Sequence, residues 1–349
     1  MKKIVFTGGG TLGHVMPNIY LMQELKDFKC YYIGGSGLEK EKIMAEKIHY
    51  YEIPTTKLKR GKVFTNLKIP FVLISAINKA KQALKEIKPN VIFSKGGYVS
   101  LPVVIAGKML KIPIIAHESD SSFGLSNKII LRLCNTMCVN FKDLENTNPK
   151  VLYTGPIFSK EYDKTNKNFS NLNLDKNKPT MLVVGGSLGS KIINENLLQI
   201  LDELLENFNV IHITGKGNKT KSSYYNYNSF EMVSDMVNLY NIADFVLGRA
   251  GANVTAECYF KKLPMLLIPL ENASSRGDQV LNAEYYLNLG VAKILKEKDT
   301  SATSLSEAIK DFYINFESFK KAYDSAEIIN GKQKVLNCIY DITNINKVD

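Results

Sequence analysis

The segment Lys3-Ile-Val-Phe-Thr-Gly-Gly-Gly-Thr-Leu-Gly-His14 places an imidazole directly behind a glycine turn that follows an apolar run. A second turn, Gly185-Gly186-Ser187-Leu188-Gly189, follows Thr180-Met-Leu-Val-Val184. Each reads as a strand, a turn of exposed N–H groups and a helix start. Unpaired amides and the helix dipole both favour an anion there, a phosphate above all. His14, at the mouth of the first turn, is placed to accept a proton; an idle surface imidazole is the alternative. Gly8, Gly10 and Gly13 also fit a dinucleotide fingerprint, but the carboxylate required on the second strand is missing, since that region reads Tyr32-Ile33-Gly34-Gly35. A nicotinamide cofactor is therefore disfavoured.

Further polar groups end other apolar runs. Ser94-Lys95-Gly96-Gly97-Tyr98 and His117-Glu118-Ser119-Asp120 both fall where a strand of the first half would stop. In open α/β sheets ligands lie beyond the carboxyl ends of the strands. The second half adds Gly248-Arg249-Ala250-Gly251-Ala252-Asn253-Val254-Thr255-Ala256-Glu257, again strand, glycine loop and helix. Glu257 follows Asn253 by about one turn. A buried carboxylate needs partners, either ligand hydroxyls or a salt bridge to Arg249 or a nearby Lys. Gln279 and Asn282 are three apart and share a helix face, and amides suit sugar hydroxyls. The chain has no Asp-x-Asp, no nucleophile elbow and no Gly-Lys-Ser/Thr loop. Those absences disfavour a metal-held sugar nucleotide, a serine hydrolase and a P-loop ATPase.

These groups must be carried by strands alternating with helices. Ten apolar runs read as strands: Ile4–Thr7, Cys30–Ile33, Val91–Phe93, Ile114–Ala116, Thr136–Val139, Val151–Tyr153, Met181–Val184, Val210–Thr214, Phe245–Leu247 and Met265–Ile268. Most lack polar alternation, as strands buried on both faces do. The fold class is therefore α/β, with parallel sheets. The 349 residues suit two domains. Ser159–Lys178, rich in Asn, Lys and Asp, is the linker candidate. The expected division is 1–157 with a C-terminal helix from 330–349, and 158–329, with a cleft between two similar halves.

The net charge of +11 favours anionic partners, yet no stacking aromatics interleave with the basic residues, so nucleic acid is disfavoured. Cys134 and Cys138, four apart on an expected helix or helix end, read as core packing rather than a metal pair. The odd cysteine count suits a reducing compartment. No run approaches the ~20 apolar residues that span a bilayer. Pro70 suits the first turn of a helix to about Lys88, with Leu73, Ala76, Ile77, Ala80, Leu84 and Ile87 as its core stripe. Phe71 and Ile74 fall on another side, continued by Lys81, Lys85 and Lys88 and preceded by Lys57, Lys59, Arg60, Lys62 and Phe64. Apolar residues ringed by cations fit an anionic membrane surface; an ordinary solvated face is the alternative.

Taken in order, Gly-Gly-Gly-Thr-x-Gly-His14, Lys95-Gly-Gly-Tyr-Val-Ser100, His117-Glu118, Gly-Gly-Ser-x-Gly189, Arg249-x-Gly-x-Asn-x-x-x-Glu257 and Asp278-Gln-x-x-Asn-Ala283 resemble the MurG family. The likeness runs from residue 1 to beyond 290. It implies a GT-B fold of two Rossmann-like domains, and inverting transfer of N-acetylglucosamine from UDP-N-acetylglucosamine to undecaprenyl-pyrophosphoryl-MurNAc-peptide (lipid I), with no cofactor and no metal. It implies a peripheral enzyme on the cytoplasmic face of the cell membrane, contributing to peptidoglycan synthesis. By the same resemblance His14 is the catalytic base. Thr11, Leu12 and Gly13 hold the acceptor pyrophosphate and also border the donor, as does Asp120, while Tyr98, His117 and Glu118 bind the acceptor. Val233 meets the uracil, Glu257 the ribose, Ser187 with Ala252, Asn253, Val254 and Thr255 the donor pyrophosphate, and Gln279 with Asn282 the amino sugar. Two positions depart from the family. Asp120 stands where it often has Asn, and Phe158 where it commonly has a nucleotide-contacting Arg, for which Lys160 is a substitute candidate. A UDP-N-acetylglucosamine 2-epimerase, a diacylglycerol glycosyltransferase and a non-catalytic sugar-nucleotide binder share enough of this pattern to stay open.

Overall fold

The computed structural model describes residues 1–56, 69–170, 172–218, 220, 224–271 and 277–344. The chain forms two compact units, residues 1–159 with 329–349, and residues 160–328. The first contains β1 (Lys2–Thr7), α1 (Met16–Glu24), β2 (Phe28–Gly34), α2 (Leu38–Ala45), β3 (His49–Glu52), α3 (Ile69–Ile87), β4 (Val91–Ser94), α4 (Ser100–Met109), β5 (Ile114–Glu118), α5 (Leu125–Leu133), β6 (Thr136–Val139) and β7 (Val151–Tyr153). Its seven strands are parallel, in the order β3-β2-β1-β4-β5-β6-β7. Alternate residues of each strand enter opposite cores. Val5, Ile33, Ile92 and Ile114 pack with Ala80, Leu84 and Val103 on one face. Ile4, Phe6, Tyr32, Phe93 and Ile115 pack with Ile19 and Leu25 on the other. Burial on both faces is why these runs carry no polar alternation.

The second unit contains β8 (Thr180–Val184), α6 (Lys191–Gln199), α7 (Leu201–Asn207), β9 (Asn209–Ile213), β10 (Tyr227–Phe230), α8 (Met236–Ile242), β11 (Phe245–Gly248), α9 (Ala252–Phe260), β12 (Met265–Leu267), α10 (Asp278–Asn288), β13 (Ala292–Ile294), α11 (Ala302–Ile314) and α12 (Phe316–Ala322). Six parallel strands run in the order β10-β9-β8-β11-β12-β13. The last helix, α13 (Lys332–Ile342), belongs to the first unit, where Val335, Leu336 and Ile339 join the core beside Ile4 and Phe6. Lys332 Nζ donates to Glu24 Oε1 at 2.8 Å.

Three strands escape the sequence reading: β3, β10 and β13. All three are sheet edges. An edge strand is short and half-solvated, so His49-Tyr-Tyr-Glu52 and Tyr227-Asn-Ser-Phe230 never form an apolar run. The stretch Ser159–Lys178 is not a free linker. Its backbone N–H groups at Asn168, Asn173 and Asp175 donate to the side chains of Asn238, Asn228 and Asn209. Amide side chains thus replace the ladder partners that an extended segment lacks. Cys134 follows α5 while Cys138 lies inside β6, so the two share no helix. The helix expected after Pro70 runs over Ile69–Ile87 and buries Ala76, Ala80, Ala83, Leu84 and Ile87. Phe71 is 76% and Ile74 58% exposed; residues 57, 59, 60, 62 and 64 lie outside the described residues.

Candidate active site

Each sheet reverses its strand order beside its first strand, between β1 and β4 and between β8 and β11. Thr7 pairs with Ser94, and Val184 with Gly248, at the carboxyl ends of these neighbours. The glycine turns after β1 and β4 therefore diverge from one point, as do those after β8 and β11. A reversal of this kind opens a crevice in a parallel sheet.

In the first unit, Leu12–His14 form one 3-10 turn and α1 begins only at Met16. His14 thus stands just before the long helix rather than in its first turn. The amides of Thr11, Leu12 and Gly13 have no backbone partner among the described residues. His14 Nδ1 lies 3.1 Å from the Gly9 carbonyl oxygen and 3.1 Å from Thr11 Oγ1. A carbonyl only accepts, so Nδ1 carries the proton and Nε2 is the basic nitrogen. The turn after β4 closes against this ring. A Cβ on Gly97 would lie 3.6 Å from His14 Cε1, and one on Gly10 only 2.9 Å from the Tyr98 ring.

Under the loops lies a carboxylate that no spacing announced. Glu39 is 2% exposed, and the Gly10 N–H donates to its Oε2 at 3.4 Å. A Cβ on Gly9 would fall 2.6 Å from its Oε1, so the second glycine of the turn makes room for an acid. His117 and Glu118 are also internal, 0% and 4% exposed. Glu118 accepts from the N–H groups of Ser119, Asp120 and Gly124 and from Asn127 Nδ2. Burial and Asp120 raise its carboxyl above the ordinary range. The resemblance put both residues against the acceptor. The structure buries both beside the loop that carries the half-buried Asp120.

In the second unit, Ser187 and Leu188 sit exposed at the tip of the turn, and the Gly189 N–H donates to Gly186 O at 2.9 Å. Ser190 opens α6 with a buried hydroxyl that has no hydrogen-bond partner among the described residues. The neighbouring turn is tied to it. Asn194 Nδ2 donates to Thr214 O, and His212 Nε2 lies 3.0 Å from Asn194 Oδ1. Burial lowers the His212 imidazole to about 4, so it stays neutral.

Gly251 precedes α9, and the amides of Ala252, Asn253 and Val254 have no backbone partner among the described residues. One turn later Glu257 Oε2 accepts from Tyr240 Oη at 2.7 Å. Burial raises the Glu257 carboxyl, while hydrogen bonds from Tyr240 and Tyr162 pull it back. The salt bridge to Arg249 does not form, because Arg249 pairs with Glu297 at 2.5 Å and donates to the Ile268 carbonyl. Gln279 Oε1 accepts from the Leu270 N–H at 3.0 Å. Asn282 is fully buried and donates to Ala250 O at 3.1 Å. It therefore braces the loop before α9, and only Gln279 of the amide pair is partly exposed. Val233, half-buried, follows β10. Phe158 is 4% exposed and its backbone pairs with Asn330. Lys160 is exposed at the start of the second unit.

Residues 4–139 match the N-terminal domain of glycosyltransferase family 28 and residues 180–337 its C-terminal domain. A UDP-N-acetylglucosamine--N-acetylmuramyl-(pentapeptide) pyrophosphoryl-undecaprenol N-acetylglucosamine transferase of Bacillus thuringiensis subsp. konkukian is 41% identical, over 98% of this chain and 99% of its own length. The Clostridium perfringens (strain SM101) enzyme of that name is 40% identical over 97% of each chain. The crystal structure of Acinetobacter baumannii MurG shares the two-sheet α/β fold, with a TM-score of 0.77 at 24% identity, over 98% of this chain and 100% of that one. Two matched domains and this unbroken identity across both units mean that the chain belongs to glycosyltransferase family 28, within the family of these N-acetylglucosamine transferases.

Proposed function

We propose that the chain transfers N-acetylglucosamine from UDP-N-acetylglucosamine to undecaprenyl-pyrophosphoryl-N-acetylmuramyl-peptide, with inversion at the sugar C1. The supporting observation is a pair of open amide turns at the two switch points, one carrying an imidazole with its basic nitrogen fixed as Nε2. In this reading the amides of Thr11, Leu12 and Gly13 hold the acceptor diphosphate, and His14 Nε2 takes the proton of the attacking hydroxyl. Ser187 and the start of α9 stabilise the leaving UDP, and the Glu257 carboxylate meets the ribose. Val233 meets the base through its backbone, and Gln279 holds the amino sugar. Charge builds on the leaving diphosphate, so fixed N–H donors supply the largest share of stabilisation, about 3 kcal/mol each.

Turnover of radiolabelled UDP-N-acetylglucosamine with lipid I tests the reading. Product should form only when acceptor is present; conversion of the sugar nucleotide alone marks an epimerase instead. Because amides rather than a cation hold the diphosphates, an excess of EDTA should leave the rate unchanged, and its abolition by EDTA counts against the mechanism.

The same reading places the enzyme peripherally on the cytoplasmic face of the membrane. Among the described residues no helix is long and apolar enough to cross a bilayer. Phe71 and Ile74 offer a small apolar patch on α3, and Lys85 and Lys88 stand exposed further along. Burying one such side chain is worth about 1.5–3 kcal/mol, and each nearby cation about 1 kcal/mol at an anionic surface. The double variant F71D/I74D should lose at least about tenfold in cosedimentation with phosphatidylglycerol vesicles. Its turnover of a short-chain, water-soluble acceptor should stay at the parent rate. Unchanged sedimentation removes the patch as the docking face.

A further inference from the structure

Lys95 directly follows β4 and is buried to 1% exposure. Its backbone N–H donates to Thr7 O at 2.9 Å, and a Cβ on Gly8 would lie 3.1 Å from its own Cβ. The residue therefore sits directly beside the first glycine turn. Its Nζ donates to His117 Nδ1 at 2.9 Å and to Ser119 Oγ. Both partners are neutral, because the lysine and burial hold the imidazole well below its usual range. No carboxylate pairs with Nζ among the described residues. The nearest acids are Glu118 and Asp120, and the Glu118 oxygens already accept four hydrogen bonds. An ammonium buried without an ion pair is costly. Glu118 and Asp120 offset part of that cost, and an anion arriving at the carboxyl edge of β1, β4 and β5 offsets more.

We propose that Lys95 is an electrostatic anchor for the acceptor, its counter-charge being the diphosphate held on the amides of Thr11, Leu12 and Gly13. The inference rests on the reading above, which places that diphosphate on the first turn. The anchor acts through the loop without touching the ligand, since a low-dielectric interior carries charge effects over such distances. The sequence shows Lys95 only as one letter of a glycine turn, and nothing in the spacing tells a buried lysine from an exposed one.

The test is Lys95→Met, which keeps length and removes charge, with inorganic pyrophosphate as a competitor against lipid I. In the parent enzyme pyrophosphate should compete with lipid I. In K95M the KM for lipid I and the Ki of pyrophosphate should both rise at least about tenfold. The kcat and the KM for UDP-N-acetylglucosamine should stay within about twofold, and Tm should hold or rise, since an apolar group replaces a buried charge. Unchanged KM and Ki in a folded K95M overturn the inference, and so does a fall in Tm with both substrate KM values raised. Pyrophosphate that fails to compete in the parent enzyme removes the underlying reading, and the inference with it.

Discussion

Replacing His14 by alanine lowers kcat by about 10²–10⁴-fold, the usual worth of a positioned general base, while affinity for UDP-N-acetylglucosamine changes little. The expectation follows from one contact. His14 Nδ1 is 3.1 Å from the Gly9 carbonyl, which settles the tautomer and leaves Nε2 basic. The donor contacts assigned above all lie in the second unit, so truncating this ring removes none of them. His14→Asn separates base from brace. An asparagine amide can still donate to the Gly9 carbonyl but offers no basic nitrogen. H14N should therefore keep the Tm of the parent and match H14A in rate. Rates from quenched-flow single turnovers and UDP affinity from calorimetry decide the matter. A collapse of UDP affinity in H14A would make His14 a binding residue and end its assignment as base.

Gly189→Ala should raise the KM for UDP-N-acetylglucosamine by about 10²-fold, the cost of misplacing a positioning group by about 1 Å. Gly189 has φ +74°, and an added Cβ would stand 2.0 Å from the Thr214 carbonyl oxygen and 3.0 Å from its carbon. Neither backbone atom can swing aside. Thr214 O is also the acceptor for Asn194 Nδ2, whose amide is fixed in turn by His212. The glycine turn, rather than the Thr214 strand end, must move, and Ser187 moves with it. Gly217→Ala supplies the control: φ is +80° there and nothing among the described residues lies within 4 Å of the added Cβ. It should cost only the left-handed strain, about 1–2 kcal/mol, with donor KM unchanged. Equal donor KM values for G189A, G217A and the parent would mean that this turn is not the seat of the nucleotide.

Much of this molecule is legible without coordinates. Buried strands are continuous apolar runs, so every central strand of both sheets stands out, and a glycine turn after such a run marks a carboxyl edge. The edge strands β3, β10 and β13 leave no such trace, because half of their surface is wet. That omission matters, since β10 delivers Val233. The residue types of the candidate site are equally plain: His14, Ser187 and Gln279 are chemistry-bearing groups in glycine turns or at helix starts, and Glu257 lies one turn into α9. What their neighbours do is a matter of long-range contact, to which local spacing is blind.

Which polar residues face a ligand and which hold the loop was decided only by the tertiary structure. His117, Glu118 and Asn282 read as ligand candidates in one dimension and are buried in three, with Glu118 and Asn282 hydrogen-bonded within the unit. Arg249 turns to Glu297, 48 residues away, and leaves Glu257 to Tyr240. Glu39 comes from α2 to lie under Gly9 and Gly10. By itself the sequence determined the two parallel sheets, the anion-seeking turns and the imidazole beside one of them, because period, turn chemistry and residue type are local properties. The charge environment under those turns is a sum over groups brought together from distant segments, and only packing writes that sum.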